Sequence, residues 1–358
     1  MSNLFWSTDE LIGVVWAVIV LASGAGALTV EALTARLRRP WLATGIFFVV
    51  YLSVDRALHV VVNLAWDRAH ARAFGHAVPS LTEDLSGRLV GWLVGVVGCV
   101  VVALAVRALA TRAPRQGWLV AGAAMTLIAI AVLVGQPAFE RGVPLGDGPA
   151  GRAIADVARQ AGVPIAWLMA QPCAAADACD PAHVVGVGPT RRVIVDTTQM
   201  EALPLDWARQ TMAHESHHAL DDDNARALPV IAAIAFLAAW LALRGSDMIA
   251  RWQAPRLGFD RVTAPAALPL VLAILTLAWV LLQPPLNIWR QHVELEADRF
   301  ALTLTGDGQA QAAMLAHFAD QPGRMPEPSR FYQLFRDGHP SDAERIRLAD
   351  SYVAASHR

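Results

Sequence analysis

Apolar positions along this chain gather into long unbroken runs instead of alternating or recurring in stripes. A run of about 20 apolar residues is long enough to cross a bilayer. Such runs occupy residues 11–30, 41–66, 89–106 and 118–135, the second interrupted by Asp55, Arg56 and His59. From Pro137 to about Ala227 the chain is mixed, with Gly, Pro and charges. Two more apolar runs, 228–243 and 268–282, precede a polar tail of helical spacing from Asn287 to Arg358. The pattern predicts a mainly α integral membrane protein: six transmembrane helices and a split α+β domain carrying a small β-hairpin or sheet. Its parts are a four-helix region over 1–136, a first soluble piece over 137–227, two spans within 228–286 and a second soluble piece over 287–358. Two helices make one round trip, so both soluble pieces lie on one side and can build one domain.

Within the first soluble piece, residues 151–160 have helical spacing with Ile154, Val157 and Ala158 on one face, and Gly162 stops the helix. Residues 163–169 read as a short strand. The β-branched runs 183–188 and 192–196, joined by Gly188-Pro189-Thr190, read as a hairpin. Asp206 is the expected N-cap of a helix running through Leu220.

Composition agrees with membrane insertion. Hydrophobic residues make up 55% and charged residues 17%, against about 25% charged in an average globular protein. A net charge of −2 gives no electrostatic ground for binding nucleic acid. The first apolar run follows Asp9-Glu10, not a basic segment, so no short cleavable signal peptide is expected. Three Cys are too few for a disulfide scaffold.

The chemistry resides in His214-Glu215-Ser216-His217-His218, an H-E-x-x-H match. Spacing i, i+4 puts His214 and His218 on one helix face, where both imidazoles can reach one Zn²⁺. Zinc lowers the pKa of a coordinated water toward about 7, and the adjacent Glu takes its proton as the water attacks a carbonyl. The plain alternative is a polar helix end with clustered His. His217, at i+3, can also approach a metal, but the motif favours His218 and leaves His217 to solvent or an outer position. A catalytic zinc needs a third protein ligand and an open position. The best candidate is Glu294, in His292-Val293-Glu294-Leu295-Glu296-Ala297-Asp298 just beyond the sixth span. Asp298, at i+4 from it, can accept the free ring N–H of a ligating His. Glu296 points about 160° away on the helical wheel and is the weaker choice. The plain alternative is a solvated acidic helix face.

This order of motifs resembles the zinc metallopeptidases of the HtpX and CaaX prenyl protease type. The stretch 186–194, Gly-Val-Gly-Pro-Thr-Arg-Arg-Val-Ile, is similar to that family's hairpin before the zinc helix, and 339–346, His-Pro-Ser-Asp-Ala-Glu-Arg-Ile, to its C-terminal His-Pro segment. The resemblance covers residues 151–348. It implies one Zn²⁺ per chain on His214, His218 and Glu294, Glu215 as general base, and Asp298 orienting a ligating His. It also implies His339 and Arg345 facing the substrate or the developing oxyanion. A strand of Val184, Val185, Gly186 and Val187 would pair with an extended protein or peptide substrate. The family often has Asn-Ala before the Gly, where this chain has Ala182-His183. The expected activity is that of a zinc metalloendopeptidase cleaving membrane or membrane-proximal proteins. A zinc-site sensor or scaffold, or a six-helix transporter, is the alternative; a transporter would want charges deep in several spans, and only the second offers any.

Short-loop Arg residues set orientation. Arg36, Arg38, Arg39, Arg107, Arg112, Arg115, Arg244, Arg251, Arg256 and Arg261 fall on one side and Arg68, Arg72 and Arg88 on the other. This predicts a multi-pass cell (inner) membrane protein with its catalytic domain on the extracytoplasmic side. Cys173 and Cys179 are a disulfide candidate that such a compartment would permit; free thiols or metal binding are the alternatives. Asp55 and His59 are expected to pair at i, i+4 near a membrane interface.

Overall fold

The computed structural model describes residues 2–73, 78, 80–140, 142–172, 181–321 and 324–356. Along the chain come α1 (Ser2–Ala22), α2 (Ala25–Leu37), α3 (Pro40–Ala73), α4 (Leu81–Arg112), α5 (Gly117–Phe139), β1 (Val143–Pro144), α6 (Pro149–Ala161), β2 (Leu168–Ala170), β3 (Ala182–Val185) and β4 (Arg192–Val195). There follow α7 (Thr197–Ala202), α8 (Leu205–Asp221), α9 (Asp223–Trp240), α10 (Ser246–Trp252), α11 (Ala254–Leu257), α12 (Leu268–Thr305), α13 (Gly308–Ala319), α14 (Arg330–Arg336) and α15 (Asp342–Ser356). The protein is thus mainly α with a small mixed sheet. Among the described residues, five helices are long and apolar enough to cross a membrane, or six if the bent pair of α1 and α2 is counted as one span.

Two compact units form, each from two stretches of chain. The first takes Met1–Met125 with Ala232–Leu282, the second Thr126–Ile231 with Gln283–Arg358. In the first unit the expected span over 11–30 is broken. Gly24 adopts φ 68°, a left-handed conformation that glycine takes without cost, and α1 and α2 meet at 65°. Phe47, Phe48, Tyr51 and Leu52 of α3 pack with Val20 and Leu268, and Tyr51 stacks on Trp16 at 5.9 Å. Asp55 and His59 approach to 3.9 Å. The fifth span continues through a π-helical turn, Leu241–Gly245, into α10.

The second unit carries the sheet, in the order β1-β2-β4-β3. The two β-branched runs pair antiparallel, Val184 opposite Val193, and β2 lies parallel to β4. The strand expected over 163–169 is shorter and later. Pro164 opens a 3₁₀ turn over Ile165–Trp167, and only Leu168–Ala170 joins the sheet. α6 forms where its apolar stripe requires, with Pro149 at its first turn and left-handed Gly162 ending it. Ile154, Val157 and Ala158 of that stripe meet Val193 and Val195 of the sheet and Ala208, Met212 and Ala213 of α8 in one core. α8 begins at Leu205 with Pro204 as N-cap, so Asp206 sits inside the first turn instead of capping it, where its charge complements the helix dipole. The N-cap role belongs to Asp196, whose carboxylate accepts from the amides of Thr198 and Gln199 and starts α7.

α12 is 38 residues long, about 57 Å at 1.5 Å per residue. A hydrocarbon layer is about 30 Å thick, so the helix must run well beyond its apolar stretch. That extension carries Glu294 and Asp298.

Candidate metal centre

His214 and His218 lie on one face of α8, Nε2 to Nε2 at 3.0 Å. Glu294 of α12 comes in from the side, its carboxylate 3.3 Å from His214 Nε2 and 3.7 Å from His218 Nε2. One donor atom from each of the three lies within 4.8 Å of the others. Bonds of 2.0–2.2 Å to a tetrahedral ion imply donor separations of about 3.3 Å, so two imidazoles and a carboxylate at these distances fit a zinc ion and leave a fourth position.

The outer nitrogens are held as firmly as the inner ones are gathered. His214 Nδ1 is 3.1 Å from Asp298 and His218 Nδ1 is 2.7 Å from Asp223. A carboxylate on Nδ1 fixes the proton there and turns the Nε2 lone pair to the centre. Local backbone makes the second contact possible. Asp222 takes a left-handed conformation, φ 52°, and ends α8; Asp223, the first residue of α9, then reaches His218. Burial would raise both outer carboxyls. The charge and hydrogen bonds of Arg345 hold Asp298, and the nearby His217 and hydrogen-bonded His218 hold Asp223, well below the usual carboxylate range.

Glu215 is buried beside the two imidazoles. Burial pushes its carboxyl up, opposed by the charges of His218 and His214. His217 stands outside the triad, edge-on to Phe300 at 5.6 Å, with Nδ1 3.8 Å from Asp223. His217, His218 and Asp223 also bring donors close together, but there His218 presents the nitrogen already bonded to Asp223. Glu296 faces away and approaches His292 Nε2 at 3.3 Å and Arg226 at 3.6 Å.

Two expected residues are placed differently from one another. His339 reaches the centre, Nε2 3.6 Å from Glu294, and is largely exposed. Arg345 does not face the open side: its Nε and Nη2 donate to Asp298 at 2.7 Å each. Its fork matches a carboxylate geometrically, and Asp298 is the nearest one.

The expected substrate strand is cut short. Val184 and Val185 lie in β3, whereas the strand ends there and Gly186 and Val187 belong to the turn. Gly186 has φ 82°, and a Cβ on it would come within 2.6 Å of the Thr190 carbonyl oxygen and 2.9 Å of Pro137. β3 is an edge strand. Asn224 donates from Nδ2 to the carbonyl of Gly186 at 3.0 Å and approaches that of Val184 at 3.5 Å. His183 on the same strand is 2.7 Å from Glu140. Cys173 and Cys179 lie outside the described residues.

The model of one protein family, Peptidase family M48, matches residues 151–353, from α6 through the zinc-type helix and Glu294 into α15. The chain belongs to this family. Among solved structures, the crystal structure of S. mikatae Ste24p is similar, with a TM-score of 0.68 and 16% identity over 86% of this chain and 76% of that one. At that identity the likeness is one of fold. Curated protein sequences give no match. As an M48 peptidase the chain is a membrane metalloprotease, and the triad on α8 and α12 lies within the matched region.

Two residues that contact the site or its edge strand, Asp223 and Asn224, are not predicted by the sequence. Asp223 carried a signal, an acid five residues after the second His; the helix break that makes the spacing useful did not. Asn224 carried none.

Proposed function

We propose that this M48 peptidase is a zinc-dependent endopeptidase cleaving membrane or membrane-proximal proteins. The observation that carries the reading is the convergence of His214, His218 and Glu294 with each imidazole backed by its own carboxylate. His214, His218 and Glu294 would hold one Zn²⁺. The ion would supply Lewis-acid polarisation of a water and of the scissile carbonyl. Glu215 acts as general base, taking the water proton on its carboxylate and returning it to the departing nitrogen. Burial raises the Glu215 carboxyl, which makes its carboxylate a stronger base. His339, beside Glu294 and open to solvent, is the side chain placed to donate to a developing oxyanion. An extended peptide would add to the outer edge of β3 at Val184 and Val185, displacing Asn224. By the Arg count of ten against three, the catalytic unit faces the extracytoplasmic side.

The test is peptide hydrolysis by wild type and Glu215→Gln, with metal content measured on the same samples. Glu215→Gln should retain zinc and lose about 10²–10⁴-fold in rate. Near-normal cleavage would remove Glu215 from the mechanism, and a zinc-loaded but inert wild type would favour a sensor.

A further inference from the structure

We propose that α14 is a membrane-surface anchor whose Phe331–Phe335 edge enters the interfacial layer of the bilayer. The placement comes from α12. Asn287 donates to the Leu334 carbonyl at 3.0 Å, and Gln291 donates to the carbonyls of Gln333 and Asp337 at 3.0 and 2.9 Å. Both amides are buried, so α14 is pinned to the first turns of α12 beyond the apolar run. Asn287 follows Leu282 by five residues, or about 7.5 Å of helix. The polar layer on each side of a bilayer is about 5–7 Å thick. α14 therefore lies at the outer edge of the headgroup layer.

Its composition suits that level. Phe331 is 59% exposed and stacks on Phe335 at 4.7 Å. Ile288, on the turn of α12 that binds α14, is 50% exposed. Arg290 and Arg330 are exposed nearby in sequence, positive charge for phosphate groups beside apolar rings for the glycerol region. A lipid surface satisfies both at once; a water-facing stacked Phe pair satisfies neither. The anchor also sets the working depth of the centre. Glu294 follows Asn287 by seven residues, about 10 Å along the helix, which selects peptide bonds just outside the headgroups.

The experiment places a nitroxide at Phe331→Cys in the full chain, with Cys99, Cys173 and Cys179 replaced by Ser. The protein is reconstituted in vesicles of phosphatidylcholine and phosphatidylglycerol. Ala355→Cys, at the exposed end of α15, is the reference, and Ile288→Cys is a second reporter that leaves α14 intact. Collision with oxygen relative to a water-soluble nickel chelate should be several-fold higher at 331 and 288 than at 355. Equal ratios would overturn the anchor. So would a label at 331 shielded from both reagents, which would mean that protein, from a second copy or a substrate subsite, covers the helix.

Discussion

Arg345 lays two guanidinium donors on the carboxylate of Asp298, and both contacts measure 2.7 Å. Asp298 has 2% of its side chain exposed and also holds His214. Arg345 thus acts on the metal centre through one intermediary. Arg345→Met should leave a buried carboxylate uncompensated, costing about 3–5 kcal/mol of stability, and should weaken zinc binding about 10–100-fold. Arg345→Lys, with charge but no fork, should fall between. Chelator competition and denaturant unfolding measure both. Unchanged affinity with a lost turnover number would return Arg345 to the oxyanion.

Asp223 does for His218 what Asp298 does for His214. Asp223→Ala should free the imidazole to rotate and weaken zinc by about 10–100-fold, with Asp223→Asn less affected because its amide oxygen can still accept from Nδ1. Calorimetric titration of the ion-stripped variants decides. Wild-type affinity in Asp223→Ala would make the 2.7 Å contact incidental.

Why were His214, His218 and Glu294 legible while Asp223, Asn224 and the partner of Arg345 were not? The triad is local chemistry: i, i+4 on one helix, and an acid on the helix after the next round trip. Periodicity places such residues. The apolar runs were legible for the same reason, since spanning length is a property of the run itself. The break at Gly24, the turn at Ile165–Trp167 and the choice of Asp298 by Arg345 are decided between elements, by a single backbone angle or by which carboxylate is nearest. No window of sequence holds that information. The edge position of β3 belongs to the same class, because strand order is a tertiary fact.

Proton release should accompany metal binding. Burial lowers the His214 imidazole, but hydrogen bonds to Asp298 and Glu294 outweigh it and push the pKa up to about 10 in the ion-free protein. Zinc takes the neutral ring, so below that value each unit fall in pH lowers the neutral fraction, and the apparent affinity, about tenfold. Between about pH 8 and pH 6 the loss should approach 100-fold. Titration in buffers of different ionisation enthalpy counts the proton directly. A flat affinity over that range would place His214 in its neutral form before the ion arrives.

Asn224 occupies the Gly186 carbonyl just beyond β3 and approaches that of Val184 on its edge, both of which an incoming strand would use. Displacing one such hydrogen bond costs about 1 kcal/mol, or about fivefold in affinity. Asn224→Ala should therefore lower KM for an extended peptide by up to about fivefold with little change in kcat, and leave a substrate too short to reach Gly186 unaffected. Steady-state kinetics on the two substrates separate the cases. A higher KM for the long peptide would mean that the amide supports the strand instead of blocking it.

Orientation is the prediction most exposed to refutation. Ten Arg in the predicted loops on one side against three on the other would set insertion, because basic residues flanking a span resist translocation. Cys173 and Cys179 are independent of that count, since they report the compartment after insertion. Five residues lie between them, and a bridge closing so short a loop would add about 2–3 kcal/mol to local order. A thiol reagent that cannot cross membranes, applied to intact cells after reduction, should modify Cys173 and Cys179. It should not modify Thr111→Cys, an exposed position in the last turn of α4 beside the Arg-rich loop. The reverse pattern would put the catalytic unit in the cytoplasm and leave both Cys as free thiols in a reducing compartment.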